Sequence, residues 1–143
     1  MCGIAGFTVR QKDSSSSDRP ILESMLDAIA YRGPDQRGME FSDKFAFGHN
    51  RLAIMEPQGG AQPRCHPVSR NTLIYNGEIY NHRKFDVDIS AAGYEFRDHC
   101  DTETLFWLIE MHGVQKTASM IDGMFAFAYY EAASDTLYLA RDA

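Results

Sequence analysis

Residues 124–130, MFAFAYY, form an almost unbroken apolar run. So short a run without polar alternation reads as a strand buried on both faces. TLYLARD (136–142) is a second apolar strand, joined to the first by a turn. Burying such a pair takes a core, and 143 residues, 44% hydrophobic and 24% charged, supply one. The length suits one domain.

The rest of the chain mixes strands with a few helices, an α+β pattern. Residues 4–9 read as a short buried strand, and 11–20 (QKDSSSSDRP) as a polar loop of low complexity. A helix follows over about 20–30, with Pro20 in its first turn and Ile21, Leu22, Met25, Leu26 and Ile29 on one face. YRGPDQRG (31–38) is turn-rich. Residues 39–55 read as two strands joined at Ser42-Asp43-Lys44, and 56–70 as a loop. TLIYNGEIY (72–80) reads as strand, Asn-Gly turn, strand. Residues 82–93 are ambiguous: Asp86-Val87-Asp88-Ile89 alternates like a strand in surroundings that suit a helix. Asp101 is placed to cap a helix carrying Leu105, Leu108, Ile109 and Met111, with Gly113 as its stop. A short helix near 115–121 completes the set. No internal repeat is present.

Bulk properties weigh against several classes. The net charge of -6, from 14 basic and 20 acidic residues, argues against a nucleic-acid partner. No apolar run approaches bilayer length, and the N-terminus lacks the basic stretch of a signal peptide. Three cysteines, Cys2, Cys65 and Cys100, fit a reducing cytoplasm better than a disulfide framework. Neither Cys65 nor Cys100 has a second Cys at metal-ligand spacing. With His66, His82, His99 and His112 scattered, they read as packing or surface residues and no metal site is expected.

Cys2 carries the chemistry. Removal of Met1 would leave it with a free α-amine, which titrates at about pH 7.7–8.0. That amine can take the thiol proton and return it to a leaving amine, so one residue supplies nucleophile and base. Gly3 and Gly6 leave the backbone beside the thiol uncrowded. Asn76-Gly77 offers a side-chain amide and a backbone N–H that together could hold an oxyanion. On its own, an Asn-Gly pair is an ordinary hairpin turn.

MCGIAGF, YRGPDQRG, RLAI, YNGEIYN, DTE, GMFAFA and LARD occur in order along the chain. Together they closely resemble the N-terminal glutaminase domain of glutamine-dependent asparagine synthetases. These are class II glutamine amidotransferases within the N-terminal nucleophile hydrolases. The resemblance runs from Met1 to Asp142 and implies an αββα sandwich of two antiparallel sheets. By its motifs, Cys2 is the nucleophile, and Arg51 holds the α-carboxylate of glutamine as a guanidinium fork. The backbone at Ile54 and Met55 lines the same pocket, Asn76 and Gly77 form the oxyanion hole, and Glu78 and Asp101 take the α-ammonium. The implied reaction converts free glutamine to glutamate and ammonia through a Cys2 thioester.

Tyr31 stands where His is usual before RGPD, Cys100 where Ser or Gly is usual before DTE, and 82–93 lacks the usual helical composition. The family continues past LARD into further strands and then a synthetase domain. Residues 1–143 therefore read as a glutaminase domain incomplete at its C-terminus, with the synthetase domain absent and strand 136–142 left as an edge. No cofactor is expected in this chain; ATP and Mg belong to the synthetase domain. The partners implied are free glutamine, a synthetase domain or second chain that uses the ammonia, or a further copy of the chain. The rival reading is a non-catalytic binding or regulatory fragment. A retained Met1 would acylate the amine of Cys2 and favour that rival.

Overall fold

The computed structural model describes residues 2–9, 15–53 and 59–143, with 15–17 as backbone alone. In chain order the elements are β1 (Gly3–Thr8), α1 (Ser15–Ala28), β2 (Gln36–Phe41), β3 (Phe45–Arg51), β4 (Arg64–Cys65), β5 (Thr72–Ile79), α2 (Asp86–Ala91), α3 (Asp101–His112), α4 (Val114–Met120), β6 (Gly123–Glu131) and β7 (Thr136–Arg141). Two antiparallel sheets form, ordered β1-β3-β2 and β4-β5-β6-β7.

Side-chain alternation along the strands builds the layers. Ala46 of β3 faces α1, where it packs on Leu22 and Leu26. A Cβ on Gly48 would sit 2.7 Å from Leu26 Cδ1, so glycine there lets the helix lie close. Fully burying a leucine such as Leu26 contributes about 1.5–3 kcal/mol. Phe45 and Phe47 point the other way and meet Ile74, Ala128 and Tyr130 between the sheets. Leu73, Tyr75, Phe125, Phe127 and Tyr129 face outward onto Leu105, Phe106, Leu108 and Ile109 of α3. The stack is helix, sheet, sheet, helix, the αββα sandwich that the sequence resemblance implies.

MFAFAYY is central, as its composition demands. Ala128 and Tyr130 fill the inter-sheet core while Phe127 and Tyr129 fill the outer one. Met124, at the strand's start, is half exposed. The turn at Ser42-Asp43-Lys44 is present, with the Ser42 hydroxyl accepting from the Lys44 and Phe45 N–H groups. Gly113 stops α3 at a φ of +78°, a value that favours glycine. Among the described residues β7 pairs with β6 alone, and Leu139 on it is 75% exposed.

Several expectations are corrected. The first helix begins at Ser15, inside the stretch read as a polar loop, and Pro20 lies within it. Serines are weak helix formers, but Asp18 in the first turn suits the helix dipole, and Pro20 forfeits only the bond to the residue 16 carbonyl. The stretch 56–70 is not all loop: Arg64 and Cys65 pair with Leu73 and Thr72. Residues 82–93 are helical, a 3-10 turn over His82–Phe85 leading into α2. Phe85 and Ile89, one turn apart, are buried there while Val87 is exposed, which is helical periodicity. α3 has no single apolar face, since every residue from Asp101 to Ile109 is buried.

The largest correction is at Asn76-Gly77. No turn exists there, and β5 runs unbroken from Thr72 to Ile79. A type I′ turn needs positive φ at both central residues, and neither has it. Both pair across to β6, Asn76 with Ala126 and Gly77 with Phe125.

Candidate active site

The register Gly3↔Asn50 puts Cys2 opposite Arg51 at the open end of the β1–β3 pair. The Cys2 thiol is free and half-buried. Its Sγ accepts from the Leu52 N–H at 3.4 Å, and its carbonyl accepts from Arg32 Nε at 3.0 Å. The RGPD loop is clamped over this end. The Asp35 N–H donates to the Arg51 carbonyl at 3.0 Å, and the Asp35 carboxylate accepts from the Ala53 N–H at 2.7 Å. Gly33 makes the approach feasible, because a Cβ there would lie 2.3 Å from the Asn50 oxygen.

Arg51 is 5% exposed, and its Nη1 donates to Gln36 Oε1 at 2.9 Å. Gly60 lies against the guanidinium: a Cβ would be 3.2 Å from Nη2, at a φ of +68°. The Gly60 N–H is held in turn by Asp98 at 2.8 Å.

Asp101 does not cap α3. The N-cap is Cys100, without a side-chain capping bond, and Asp101 is the first helical residue. Its Oδ2 accepts instead from the Tyr75 hydroxyl at 2.6 Å and the Ile79 N–H at 3.0 Å. Burial, and then the adjoining Asp101 carboxylate, push the Tyr75 phenol far above its usual range, so it stays protonated and donates. Oδ1 keeps its acceptor capacity. Buried Glu103, paired with Arg64, accepts the Arg97 and Asp98 N–H groups at 2.8 Å and fixes the loop leading into Asp101.

β5 explains what Gly77 does. Beyond Leu73 its outer edge has no strand neighbour among the described residues, and the outward N–H groups find other partners. Tyr75 N–H goes to Gln62 Oε1 at 2.6 Å and Ile79 N–H to Asp101. Alternation along an antiparallel strand turns the Gly77 N–H, midway between them, to the same side. A Cβ on Gly77 would lie 2.3 Å from the Met124 oxygen, so only glycine fits.

These elements enclose a cavity of about 160 Å³ lined by Cys2, His49, Arg51, Gly77, Glu78 and Asp101, together with Gln62, Tyr75 and Cys100. It lies well below the roughly 300 Å³ at which drug-sized pockets begin, a space for a small molecule. Five of the sequence-derived residues, Cys2, Arg51, Gly77, Glu78 and Asp101, thus share one cavity. Asn76 does not line it. Its side chain shares the inter-sheet face of β5 with Ile74, and its buried Oδ1 has no partner. Ile54 and Met55 lie outside the described residues.

Of the other cysteines, Cys100 is buried and its thiol is pushed up to about 12 by burial and then by its hydrogen bond with Asp98. It stays protonated near neutrality and is no nucleophile. The structure adds residues that sequence reasoning passed over: Arg32 and Asp35 in the clamp, Gln62 and Tyr75 behind β5, and His49 in the cavity wall. For His49 a signal was present, since Phe45, Phe47, His49 and Arg51 alternate along β3 and polar groups take over one buried face at the strand's end. Gln62 has none.

The pattern of the glutamine amidotransferase domain matches residues 1–143. Asparagine synthetase [glutamine-hydrolyzing] 1 of Bacillus subtilis (strain 168) is 34% identical over 143 residues, covering 99% of this chain and 22% of that protein. A probable asparagine synthetase [glutamine-hydrolyzing] of Dictyostelium discoideum is 36% identical, covering 99% of this chain and 25% of its own length. The chain spans about a quarter of the length of these curated relatives. Among solved structures, the glutamine phosphoribosylpyrophosphate amidotransferase from B. subtilis, complexed with ADP and GMP, has the same fold. It matches with a TM-score of 0.71 at 21% identity, over 99% of this chain and 36% of that one. On sequence pattern, relatives and fold, this chain belongs to the glutamine amidotransferase domain family.

Proposed function

We propose that the chain hydrolyses free glutamine to glutamate and ammonia, with Cys2 as an N-terminal nucleophile. The observation that carries this is one small cavity lined by a free thiol, a buried guanidinium and two carboxylates. Arg51 suits the α-carboxylate of an amino acid, and Glu78 with Asp101 suits its α-ammonium. The α-amine of Cys2, freed by removal of Met1, takes the thiol proton as sulfur attacks the carboxamide carbon. The oxyanion so formed is held by the Gly77 N–H and by the Asn76 amide, whose side chain turns toward the thiol from its place beside the cavity. The C–N bond then breaks, the amine returns its proton to the leaving nitrogen, and ammonia departs. Water cleaves the remaining thioester, releasing glutamate and restoring the thiol.

On this reading the ammonia passes to an amide-forming partner or domain of the asparagine synthetase kind. That portion carries ATP and Mg and supplies a carboxylate acceptor such as aspartate. The setting is the cytoplasm, which suits free thiols.

Arg51→Lys tests the substrate assignment. Lysine keeps the charge but loses the fork, and a charge-assisted hydrogen bond contributes about 1.5–3 kcal/mol. The Michaelis constant for glutamine is expected to rise about 10- to 150-fold, with turnover changed much less. A fall in turnover at an unchanged Michaelis constant would show that Arg51 does not hold the α-carboxylate.

A further inference from the structure

The Asp101 carboxylate, which takes the α-ammonium on the glutaminase reading, is held by one of its oxygens only. Asp101 is buried, opens α3 and lines the cavity. Two donors converge on its Oδ2, the Tyr75 hydroxyl at 2.6 Å and the Ile79 N–H at 3.0 Å. Oδ1 has no hydrogen-bond partner among the described residues. A carboxylate with one donor can tilt about its Cβ–Cγ bond or exchange its two oxygens, because that torsion is broad and two-fold. A second donor on the same oxygen removes both freedoms. Oδ1 is then the acceptor for whatever the cavity holds.

The Tyr75 hydroxyl is itself fixed. Tyr75 is 2% exposed and shares the outer core with Leu105 and Phe106 of α3, and its N–H donates to Gln62 Oε1 at 2.6 Å. Tyr75 thus ties β5 to the first turn of α3. Glu78, the other carboxylate of the cavity, differs. It is exposed, and no hydrogen bond holds its side chain among the described residues. A mobile side chain loses rotamer freedom when it grips a ligand, and a fixed one does not. Recognition of an α-ammonium therefore falls chiefly on Asp101 and, through it, on Tyr75.

We propose that Tyr75 is a positioning residue that makes the cavity select a free amino acid: by donating to Oδ2 it presents Oδ1 of Asp101 to the α-ammonium of the substrate. The inference rests on the glutaminase reading and deepens it. Tyr75 acts through Asp101, so it bears on the binding of the α-ammonium and not on the attack of sulfur.

Glutamine hydrolysis by the Tyr75→Phe chain, inhibited by glutaramate, tests it. Glutaramate is glutamine without its α-amine, so it has nothing for Asp101 to hold. Phenylalanine keeps the ring, and the Ile79 N–H still donates to Oδ2. The Michaelis constant for glutamine is expected to rise about tenfold, near the lower end of what a hydrogen bond to a charged group contributes, with turnover changed much less. The inhibition constant of glutaramate should stay where it was. A merely structural loss would raise both constants alike. That result, or a Michaelis constant that does not move, overturns the role of Tyr75 and leaves the glutaminase reading standing. A parent chain that does not hydrolyse glutamine overturns both. Should the variant fail to fold, judged by its melting, or glutaramate fail to inhibit, the resonance of the hydroxyl-bearing carbon of Tyr75 in the Cys2→Ala chain decides the matter. It should move on adding glutamine, and a resonance unmoved by glutamine overturns the proposal.

Discussion

Cys2→Ala is expected to abolish glutamine hydrolysis, a loss on the order of 10⁴-fold or more, as for other covalent nucleophiles. Without sulfur no thioester forms, and the α-amine of residue 2 has no proton to relay. The fold should survive, because the thiol makes long hydrogen bonds with the Leu52 backbone, accepting from its N–H and donating to its carbonyl, and sits at the end of the β1–β3 pair. Cys65→Ala and Cys100→Ser should change activity little. Cys100 has a thiol held protonated by burial, and Cys65 does not line the cavity that holds Cys2. Steady-state ammonia release from the three variants checks this, and sustained release by Cys2→Ala would sink the mechanism.

The second large effect is expected at Asn76. Asn76→Ala should lower turnover about 10²–10³-fold, the loss seen when one oxyanion donor is removed. Asn76 is partly buried with its Oδ1 unpartnered, and a half-turn of the carboxamide exchanges that acceptor for its donor. Gly77 contributes through its backbone, so the Asn76 side chain is the member of the pair that mutation can test. A change confined to the Michaelis constant would place Asn76 in ground-state binding instead.

Asn76-Gly77 also shows where a single sequence misleads. The dipeptide is a strong turn signal, yet the pair lies inside a strand. Gly77 is needed there for lateral contact with Met124, a constraint set by a neighbour nearly fifty positions away in the chain. The Asp101 carboxylate was misplaced for a similar reason. Its position suits a cap, but Tyr75 and Ile79 claim it from across the core. The start of α1 was misplaced too, because serines and a proline conceal a helix that packing on β3 stabilises. What read correctly was local: the apolar run of β6, the Ser42 turn and the Gly113 stop depend on near neighbours. Cys2, Arg51 and Glu78 were legible through motifs. His49 was passed over although the alternation of Phe45, Phe47, His49 and Arg51 along β3 puts it on one buried face with Arg51.

The most direct test is to mix the chain with glutamine, quench in acid during turnover, and weigh the N-terminal peptide. The account predicts a peptide that begins at Cys2, lacks Met1 and carries a glutamyl group on the thiol. Turnover by a chain that retains Met1, or a glutamyl group found on Cys65, Cys100 or nowhere, would contradict it.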